Sequence, residues 1–191
     1  MKKTTLIIQA RTGSSRFKNK ILKKLGKHYL IEWIIKRVKK SNVDKIVLAT
    51  TKNKSDQKLK LICKKEKIKF FAGSEQNVLK RFCDAGSKFN SDIIVRVCAD
   101  NPFVDPQEIN NLIEEFNKNE NGDYYFNHRN YKNSSYADGF GAELFRLKLI
   151  KKISKLKISN NHKEHVTSYI WDNKSKFKFI PCKTLIKNKY H

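Results

Sequence analysis

The sequence predicts an α/β fold with a mainly parallel β-sheet that is covered by helices on both faces. Through the first half of the chain, short runs of β-branched residues alternate with segments of helical periodicity. Strands joined in this way form right-handed βαβ units, in which neighbouring strands are parallel and buried on both sides. The chain has 191 residues, of which 39% are hydrophobic, and this is enough for one folded core. We therefore predict a single domain over residues 1–191.

The predicted elements follow one another closely from residue 4 to residue 181. Strands are expected at residues 4–9, 45–49, 68–71, 92–97, 124–127 and 177–181. Helices are expected at residues 29–40, 56–67, 77–88, 106–117 and 164–171, and a strand or short helix at 143–150. Leu30, Ile34 and Val38 illustrate the helical spacing, because they fall on one face of the first helix. In sheets of this kind, ligands bind beyond the carboxyl ends of the strands.

The chain is strongly basic, with 42 lysines and arginines against 18 acidic residues. Seven of the basic residues are arginines, and the lysines are spread along the chain without one dominant block. Since arginine is the residue that reads phosphates and bases by paired contacts, we interpret the charge as a composition bias and expect no nucleic-acid partner. The four cysteines form no CxxC pair, and no apolar stretch resembles a signal peptide or a membrane span. We expect a cytoplasmic protein without zinc, disulfides or membrane contact.

The strongest local signal directly follows the first predicted strand. Its sequence from residue 9 to residue 16 is Gln-Ala-Arg-Thr-Gly-Ser-Ser-Arg, and a lysine follows at residue 20. It is neither a Walker loop nor a GxGxxG turn, but a glycine, hydroxyl groups and cations at a strand end suit a triphosphate. A polar turn with solvated cations is the alternative. The candidate nucleotide-binding residues in this segment are Gln9, Ala10, Arg11, Gly13, Ser14, Ser15, Arg16 and Lys20.

A second signal, Arg-Val-Cys-Ala-Asp-Asn-Pro at residues 96–102, ends another predicted strand. A carboxylate in this place can hold Mg²⁺ against the oxygens of a triphosphate, because Mg²⁺ in proteins is usually bound by one or two carboxylates and substrate phosphates. The alternative is that Asp100 starts an Asx turn before Pro102. Asp100 is therefore the candidate metal ligand.

Three further motifs accompany these two in a fixed order. They are Val-Leu-Ala-Thr-Thr at residues 47–51, Gly-Ser-Glu-Gln-Asn-Val-Leu-Lys-Arg at 73–81 and Glu-His-Val-Thr at 164–167. The ordered set, from Thr5 to about Pro181, resembles the cytidylyltransferases of the spore coat polysaccharide biosynthesis type. These are relatives of the CMP-sialic acid and CMP-KDO synthetases.

The resemblance implies a GT-A-like, Rossmann-like three-layer αβα fold and a CTP-dependent, Mg²⁺-dependent enzyme of polysaccharide biosynthesis. Its reaction would join CMP to an acidic sugar or a related small molecule and release pyrophosphate. The residues that the resemblance places on the CTP phosphates are Arg11, Ser14, Arg16 and Lys20, and those that it makes catalytic are Arg16, Lys20 and Asp100. The remaining candidate binding residues are Gly73, Ser74, Arg81, Arg96, Asp138 and Glu143.

The chain departs from the family pattern in three places. Asn77 stands where relatives usually have an acidic residue. Gly141 stands where they often have a carboxylate, which leaves Asp138 and Glu143 as candidate second-site acids or as surface residues. The sequence also ends at His191, without the usual C-terminal segment of the family. The alternatives are therefore another sugar nucleotidyltransferase or glycosyltransferase of the same fold, or a degenerate member that only binds its ligand.

Relatives of this type often form homodimers, and a homodimer is expected here. The candidate interface residues are Tyr124, Tyr125 and Phe126. Trp33 and Trp171 are expected to anchor the core or an interface rather than to stack on a ligand.

Overall fold

The computed structural model describes residues 2–13, 19–129, 131 and 139–184. The strands are β1 (Thr4–Gln9), β2 (Lys24–Leu25), β3 (His28–Tyr29), β4 (Lys45–Thr51), β5 (Lys69–Gly73), β6 (Ile93–Cys98), β7 (Tyr124–Phe126), β8 (Glu143–Arg146) and β9 (Phe179–Pro181). The helices are α1 (Leu30–Val38), α2 (Gln57–Lys65), α3 (Val78–Lys88), α4 (Pro106–Lys118), α5 (Leu147–Ser154), α6 (Asn160–Glu164) and α7 (Ser168–Asp172). Short 3-10 turns occupy Lys20–Leu22, Lys54–Asp56 and Lys174–Lys176.

Within the described residues, seven strands form one sheet in the order β5-β4-β1-β6-β8-β7-β9. β1 lies between β4 and β6 and is parallel to both, and β5 continues the parallel run beside β4. β8 is antiparallel to β6 and β7, and β9 is parallel to β7. The prediction of a mainly parallel sheet is therefore confirmed. β2 and β3 form a separate antiparallel ribbon that the sequence pattern did not indicate.

The sheet carries a hydrophobic core on each face, because successive side chains of a strand point to opposite sides. On β1, Leu6 and Ile8 pack on one side and Ile7 on the other, and all three are fully buried. The first side is covered by α1, α2 and α4, and the second by α3, α5 and α7. This is the predicted three-layer arrangement. None of the helices in the described ranges combines the length and the apolar character that crossing a membrane requires.

Two expectations about the second half of the chain are wrong. The helix predicted at residues 164–171 is interrupted between α6 and α7, where Val166 enters the core and Thr167 donates a hydrogen bond to Glu143. The aromatic residues expected at a dimer interface are instead buried inside the sheet, and these are Tyr124, Tyr125 and Phe126. Residues 143–150, left open between strand and helix, contain β8 and the first turn of α5.

The loops that follow β1, β4, β5 and β6 leave the sheet at one edge, which we call the carboxyl edge. The strands end there at Gln9, Thr51, Gly73 and Cys98. β8 runs in the opposite direction, so its first residue, Glu143, lies at the same edge, opposite Arg96. The motifs found in the sequence therefore meet at the carboxyl edge, although they are widely separated along the chain.

Candidate active site

The first residues after β1 contact neighbouring segments of the chain at the carboxyl edge. Ala10 is buried, and its amide N–H donates to the carbonyl of Ala49 at 3.1 Å. Arg11 is exposed, and its guanidinium lies 3.8 Å from the carboxylate of Glu164 in α6. At Gly13, no described atom comes within 4 Å of the place where a Cβ would stand. The predicted site residues Ser14, Ser15, Arg16 and Asp138 lie outside the described residues.

Asn19 and Lys20 follow this segment in the sequence and lie close to Thr12. Asn19 has a left-handed backbone with φ of 57°, and its amide N–H donates to the carbonyl of Thr12 at 3.3 Å. Lys20, half-buried, begins the 3-10 turn that follows. The two ends of the segment are therefore joined directly, and the predicted cations Arg11 and Lys20 flank the junction.

Arg81 lies in α3 with only 1% of its surface exposed. Its Nη1 donates to the carbonyl of Ser74 at 2.8 Å, while its buried Nε has no hydrogen-bond partner among the described residues. Burial and the positive charge of Arg11 lower the pKa of Arg81 to about 10, so the guanidinium remains charged at neutral pH. Gly73 allows this packing, because a Cβ there would lie 2.9 Å from Cγ of Arg81. Two guanidinium groups thus make this end of the carboxyl edge positive.

A hydrogen-bonded chain crosses the middle of the carboxyl edge. Arg96 on β6 donates through Nε to Oε1 of Gln9 at 3.1 Å and through Nη1 to the carboxylate of Glu143. Glu143 is 3% exposed and also accepts from the hydroxyls of Tyr124 at 2.5 Å and Thr167 at 2.9 Å. Burial alone would raise the pKa of Glu143, but the charges of Arg96 and His128 and the hydrogen bonds from Tyr124 and Arg96 lower it to about 2. Glu143 therefore stays ionised and holds Arg96 in place.

Two cavities in the described part of the chain meet at Arg96. The first, which we call the Asp100 cavity, has a volume of about 350 Å³, and its lining includes Cys98, Asp100, Asn101, Gly139 and Gly141. The second, the Trp171 cavity, has a volume of about 470 Å³, and its lining includes Arg129, His165, Ser168, Trp171 and Lys174. Arg96, His128 and Glu143 line both.

Trp171 packs against the core, as expected, and it also lines the Trp171 cavity. The guanidinium of Arg129 lies 4.3 Å from the centre of its ring and the ammonium of Lys174 lies 5.1 Å from it. The indole N–H donates to the hydroxyl of Tyr124 at 3.1 Å. Asp172, an acidic residue of the same cavity, lies 2.9 Å from a ring nitrogen of His162. The Trp171 cavity thus presents positive charge beside an aromatic ring.

The Asp100 cavity offers oxygen donors of the kind that Mg²⁺ takes. The side chain of Asp100 is exposed, and Oδ1 of Asn101 is buried without a hydrogen-bond partner among the described residues. Asn101 is held through Nδ2, which donates to the carbonyl of Gly141 at 3.3 Å. Across the described ranges, no three His, Cys, Asp or Glu side chains converge as a metal cluster. These residues fit an ion that takes most of its ligands from substrate and water.

Comparison with known proteins decides the family. A family model described as cytidylyltransferase matches residues 5–189, which is nearly the whole chain. The chain belongs to the cytidylyltransferase family. An uncharacterized protein of Methanocaldococcus jannaschii is 38% identical to this family member over 173 residues, covering 90% of this chain and 68% of that protein. The spore coat polysaccharide biosynthesis protein SpsF of Bacillus subtilis is 33% identical over 171 residues, covering 86% and 68% of the two chains.

Solved structures confirm the fold of this family member. A cytidylyltransferase from Leptospira borgpetersenii superposes with a TM-score of 0.90 at 29% identity, over 98% of this chain and 79% of that one. A CMP:2-keto-3-deoxy-manno-octonic acid synthetase complexed with CTP superposes with a TM-score of 0.73 at 16% identity, over 95% and 90% of the two chains. The GT-A-like fold and the assignment as a nucleotidyltransferase are thereby confirmed.

Several residues that shape the site were missed by sequence reasoning. Asp56 is 1% exposed and hydrogen-bonds Thr12, which lies 44 positions away, so no local spacing reveals it. The Glu-His-Val-Thr motif at residues 164–167 contributed to the family resemblance, but the sequence did not indicate what its residues contact. In the structure, Glu164 faces Arg11 and Thr167 bonds Glu143, so this motif spans both halves of the carboxyl edge.

Proposed function

We propose that this family member transfers CMP from CTP to a sugar acid or a related small anionic acceptor, and releases pyrophosphate. The observation that carries the proposal is the position of Arg96 between the Asp100 cavity and the Trp171 cavity. A nucleotide on one side and an acceptor on the other would meet beside this guanidinium. Glu143 and Gln9 fix Arg96 from both sides, and such preorganised charge stabilises charge that develops in a transition state.

The nucleotide would bind along the carboxyl edge with its phosphates toward the segment after β1. Arg11 and Lys20 flank that segment, and Arg81 adds a buried positive charge behind it. Because Arg81 is almost fully buried and bonds the carbonyl of Ser74, it supports the binding surface rather than touching the ligand. The positive charge of these three side chains favours an anion nearby, as phosphate-binding sites require. The CTP-bound synthetase of the same fold supports the choice of nucleotide.

The residues that would hold Mg²⁺ are Asp100 and Asn101. The ion, when bound, would polarise the phosphate oxygens as a Lewis acid. Asp100 is free to serve because its side chain is exposed, and Asn101 contributes an oxygen that otherwise has no partner among the described residues. Glu143 is unsuited as a second ligand, since Arg96, Tyr124 and Thr167 already occupy its carboxylate.

The acceptor would occupy the Trp171 cavity. Arg129 and Lys174 place two positive charges close to the ring of Trp171, and a carboxylate on the acceptor would gain charge-assisted hydrogen bonds from them. An acceptor hydroxyl held there would attack the α-phosphorus of CTP in line with the departing pyrophosphate. Reactions of this class need little covalent chemistry from the protein, so positioning and charge neutralisation supply most of the rate.

A pyrophosphate-release assay with CTP and Mg²⁺ tests the proposal. The acceptors are sugar acids, each paired with the neutral sugar that lacks the carboxylate. We expect turnover with a sugar acid and CTP, and a fall in kcat of about 100-fold in Asp100→Asn, the size typical of losing one preorganised electrostatic group. Asp84→Asn is the matched control, because Asp84 is an exposed aspartate that pairs with Lys80 on α3. Turnover of neutral sugars alone, or an unchanged rate in Asp100→Asn, would contradict the proposal.

A further inference from the structure

Asp56 joins three segments of the chain with one buried carboxylate. Its Oδ1 accepts from the amide N–H of Thr12 at 2.8 Å and from the Thr12 hydroxyl at 2.6 Å. Its Oδ2 accepts from the hydroxyl of Thr50 at 2.8 Å, and from the amide N–H and hydroxyl of Thr51. Asp56 is 1% exposed, so these five donors satisfy it completely. It therefore has no capacity left for a metal ion or a substrate.

The contact with Thr12 lies at the base of the segment that leaves β1. Thr12 follows Arg11 and precedes Gly13, and its own carbonyl accepts from the amide N–H of Asn19 at 3.3 Å. A continuous line of hydrogen bonds thus runs from Asp56 through Thr12 to Asn19, the residue before Lys20. Thr12 and Asn19 are both held by this line.

We propose that Asp56 is a positioning residue for nucleotide binding, acting through Thr12 and Asn19 on the adjacent cations Arg11 and Lys20. This inference rests on the proposed function, since it requires a phosphate ligand beside these two cations. The physical reason is preorganisation: residues that are already held in place lose less conformational entropy when they bind a ligand. The carboxylate suits this task because burial would raise its pKa, but the Thr12, Thr51 and Thr50 donors lower it, so that it stays charged as an acceptor.

Two isosteric variants separate positioning from stability. Thr12→Val removes the hydroxyl bond to Oδ1, and Thr50→Val removes the hydroxyl bond to Oδ2 of the same carboxylate. Both threonines are buried, at 1% and 0% exposure, so the two variants lose comparable contacts. Thr12 lies next to Arg11, whereas Thr50 lies near the end of β4. We expect similar falls in Tm for the two variants.

Nucleotide binding should distinguish them. Titration calorimetry with CTP and Mg²⁺ is expected to give a Kd about tenfold higher in Thr12→Val than in the wild type, the ratio that corresponds to 1.4 kcal/mol. Thr50→Val should bind CTP as the wild type does. Thr12→Ser keeps the hydroxyl and should restore the wild-type Kd. Equal Kd values for Thr12→Val and Thr50→Val would overturn the inference.

A second readout works without any nucleotide. Hydrogen exchange of a peptide covering residues 10–20 should accelerate in Thr12→Val and stay unchanged in Thr50→Val. Exchange that responds alike in the two variants would overturn the positioning role, whether or not CTP binds. If the variants show this exchange difference but the wild type binds no CTP, the proposed function and the role in nucleotide binding are refuted, while the structural link between Asp56 and Thr12 is supported. The two failures are therefore distinguishable.

Discussion

Replacing Glu143 by glutamine tests the charged network at the centre of the carboxyl edge. Glu143→Gln keeps the size of the side chain and removes its negative charge. Arg96 would then lose the carboxylate that faces its Nη1, while remaining largely buried with 15% of its side chain exposed. A buried charge without its partner is strongly destabilising, so we expect the variant to fold with a much lower free energy of unfolding.

Two independent lines of reasoning give the same magnitude. Breaking a buried ion pair by removing one partner costs about 3–5 kcal/mol. The pKa of Glu143 falls from 4.5 to about 2 on folding, and at 1.36 kcal/mol for each pKa unit this is worth about 3 kcal/mol. For a chain of this size each kcal/mol shifts Tm by about 2–4 °C. Glu143→Gln should therefore lower Tm by roughly 6–20 °C at pH 7.

The pH dependence of the free energy of unfolding shows whether the charge of Glu143 stabilises the fold, and by how much. Because the folded-state pKa of Glu143 lies below its ordinary value of 4.5, the stabilisation is fully present above pH 4.5 and is lost as the pH falls toward 2. Urea unfolding of the wild type and the variant at pH 7 and pH 3 measures this directly. The difference between the two proteins should narrow by about 2 kcal/mol on going to pH 3.

Glu120→Gln is the control for this experiment. Glu120 also forms ion pairs, with Lys2 and Arg146, but its side chain is 47% exposed, and exposed pairs contribute little to stability. If Glu143→Gln loses as little unfolding free energy as Glu120→Gln, the buried ion pair with Arg96 does not stabilise the fold as we argue. A large loss that does not change between pH 7 and pH 3 would also refute the reasoning, because it would come from packing rather than charge.

Three further predictions concern single features of the site. Gly73→Ala should lower the free energy of unfolding by about 1–3 kcal/mol and weaken CTP binding, because the added Cβ would lie 2.8 Å from Phe71 and 2.9 Å from Arg81. Gly13→Ala is the control and should leave Tm unchanged, because no described atom lies within 4 Å of its Cβ. Equal falls in Tm for the two variants would contradict this prediction. In a Trp33→Phe background the fluorescence of Trp171 should change on adding a sugar acid and not on adding its neutral analogue; a response to both, or to neither, would argue against the acceptor cavity. Asn77→Ala should lower the free energy of unfolding by about 1 kcal/mol through loss of a helix cap, because Oδ1 of Asn77 accepts from the backbone N–H of Lys80 at 2.8 Å. Asn77→Asp keeps an acceptor oxygen and should leave the free energy of unfolding, measured by urea titration, close to that of the wild type. Equal losses of stability in the two variants would show that the cap is not the cause.

Elements with a strong local pattern were predictable from the sequence. β1 was predicted at its observed bounds, because its apolar run is bounded by polar residues on both sides. The helix α3 was predicted to within one residue, and Asn77, noted as a departure from the family pattern, caps its first turn. The edge of the sheet where the predicted motifs meet was also predictable, since parallel strands bring their carboxyl ends together.

Features that depend on distant partners were not predictable. The break between α6 and α7 exists where Thr167 reaches Glu143, 24 positions earlier, and no periodicity encodes such a contact. The anchoring of Thr12 by Asp56 has the same origin. Trp171 packs against the core as predicted, but the sequence did not indicate that it also lines a cavity, because only the packing of β7 and α7 shows which side of its ring remains open.

Binding of CTP tests the central claim most directly. Calorimetric titrations with CTP, UTP, ATP and GTP, each with Mg²⁺, should show one CTP bound per chain, with an affinity at least about tenfold above that of the other nucleotides. At a CTP concentration of 100 times Kd the protein should gain about 2.7 kcal/mol of stability, which raises Tm by roughly 5–11 °C. No binding of any nucleotide, or equal binding of all four, would contradict the assignment of the carboxyl edge as a CTP site.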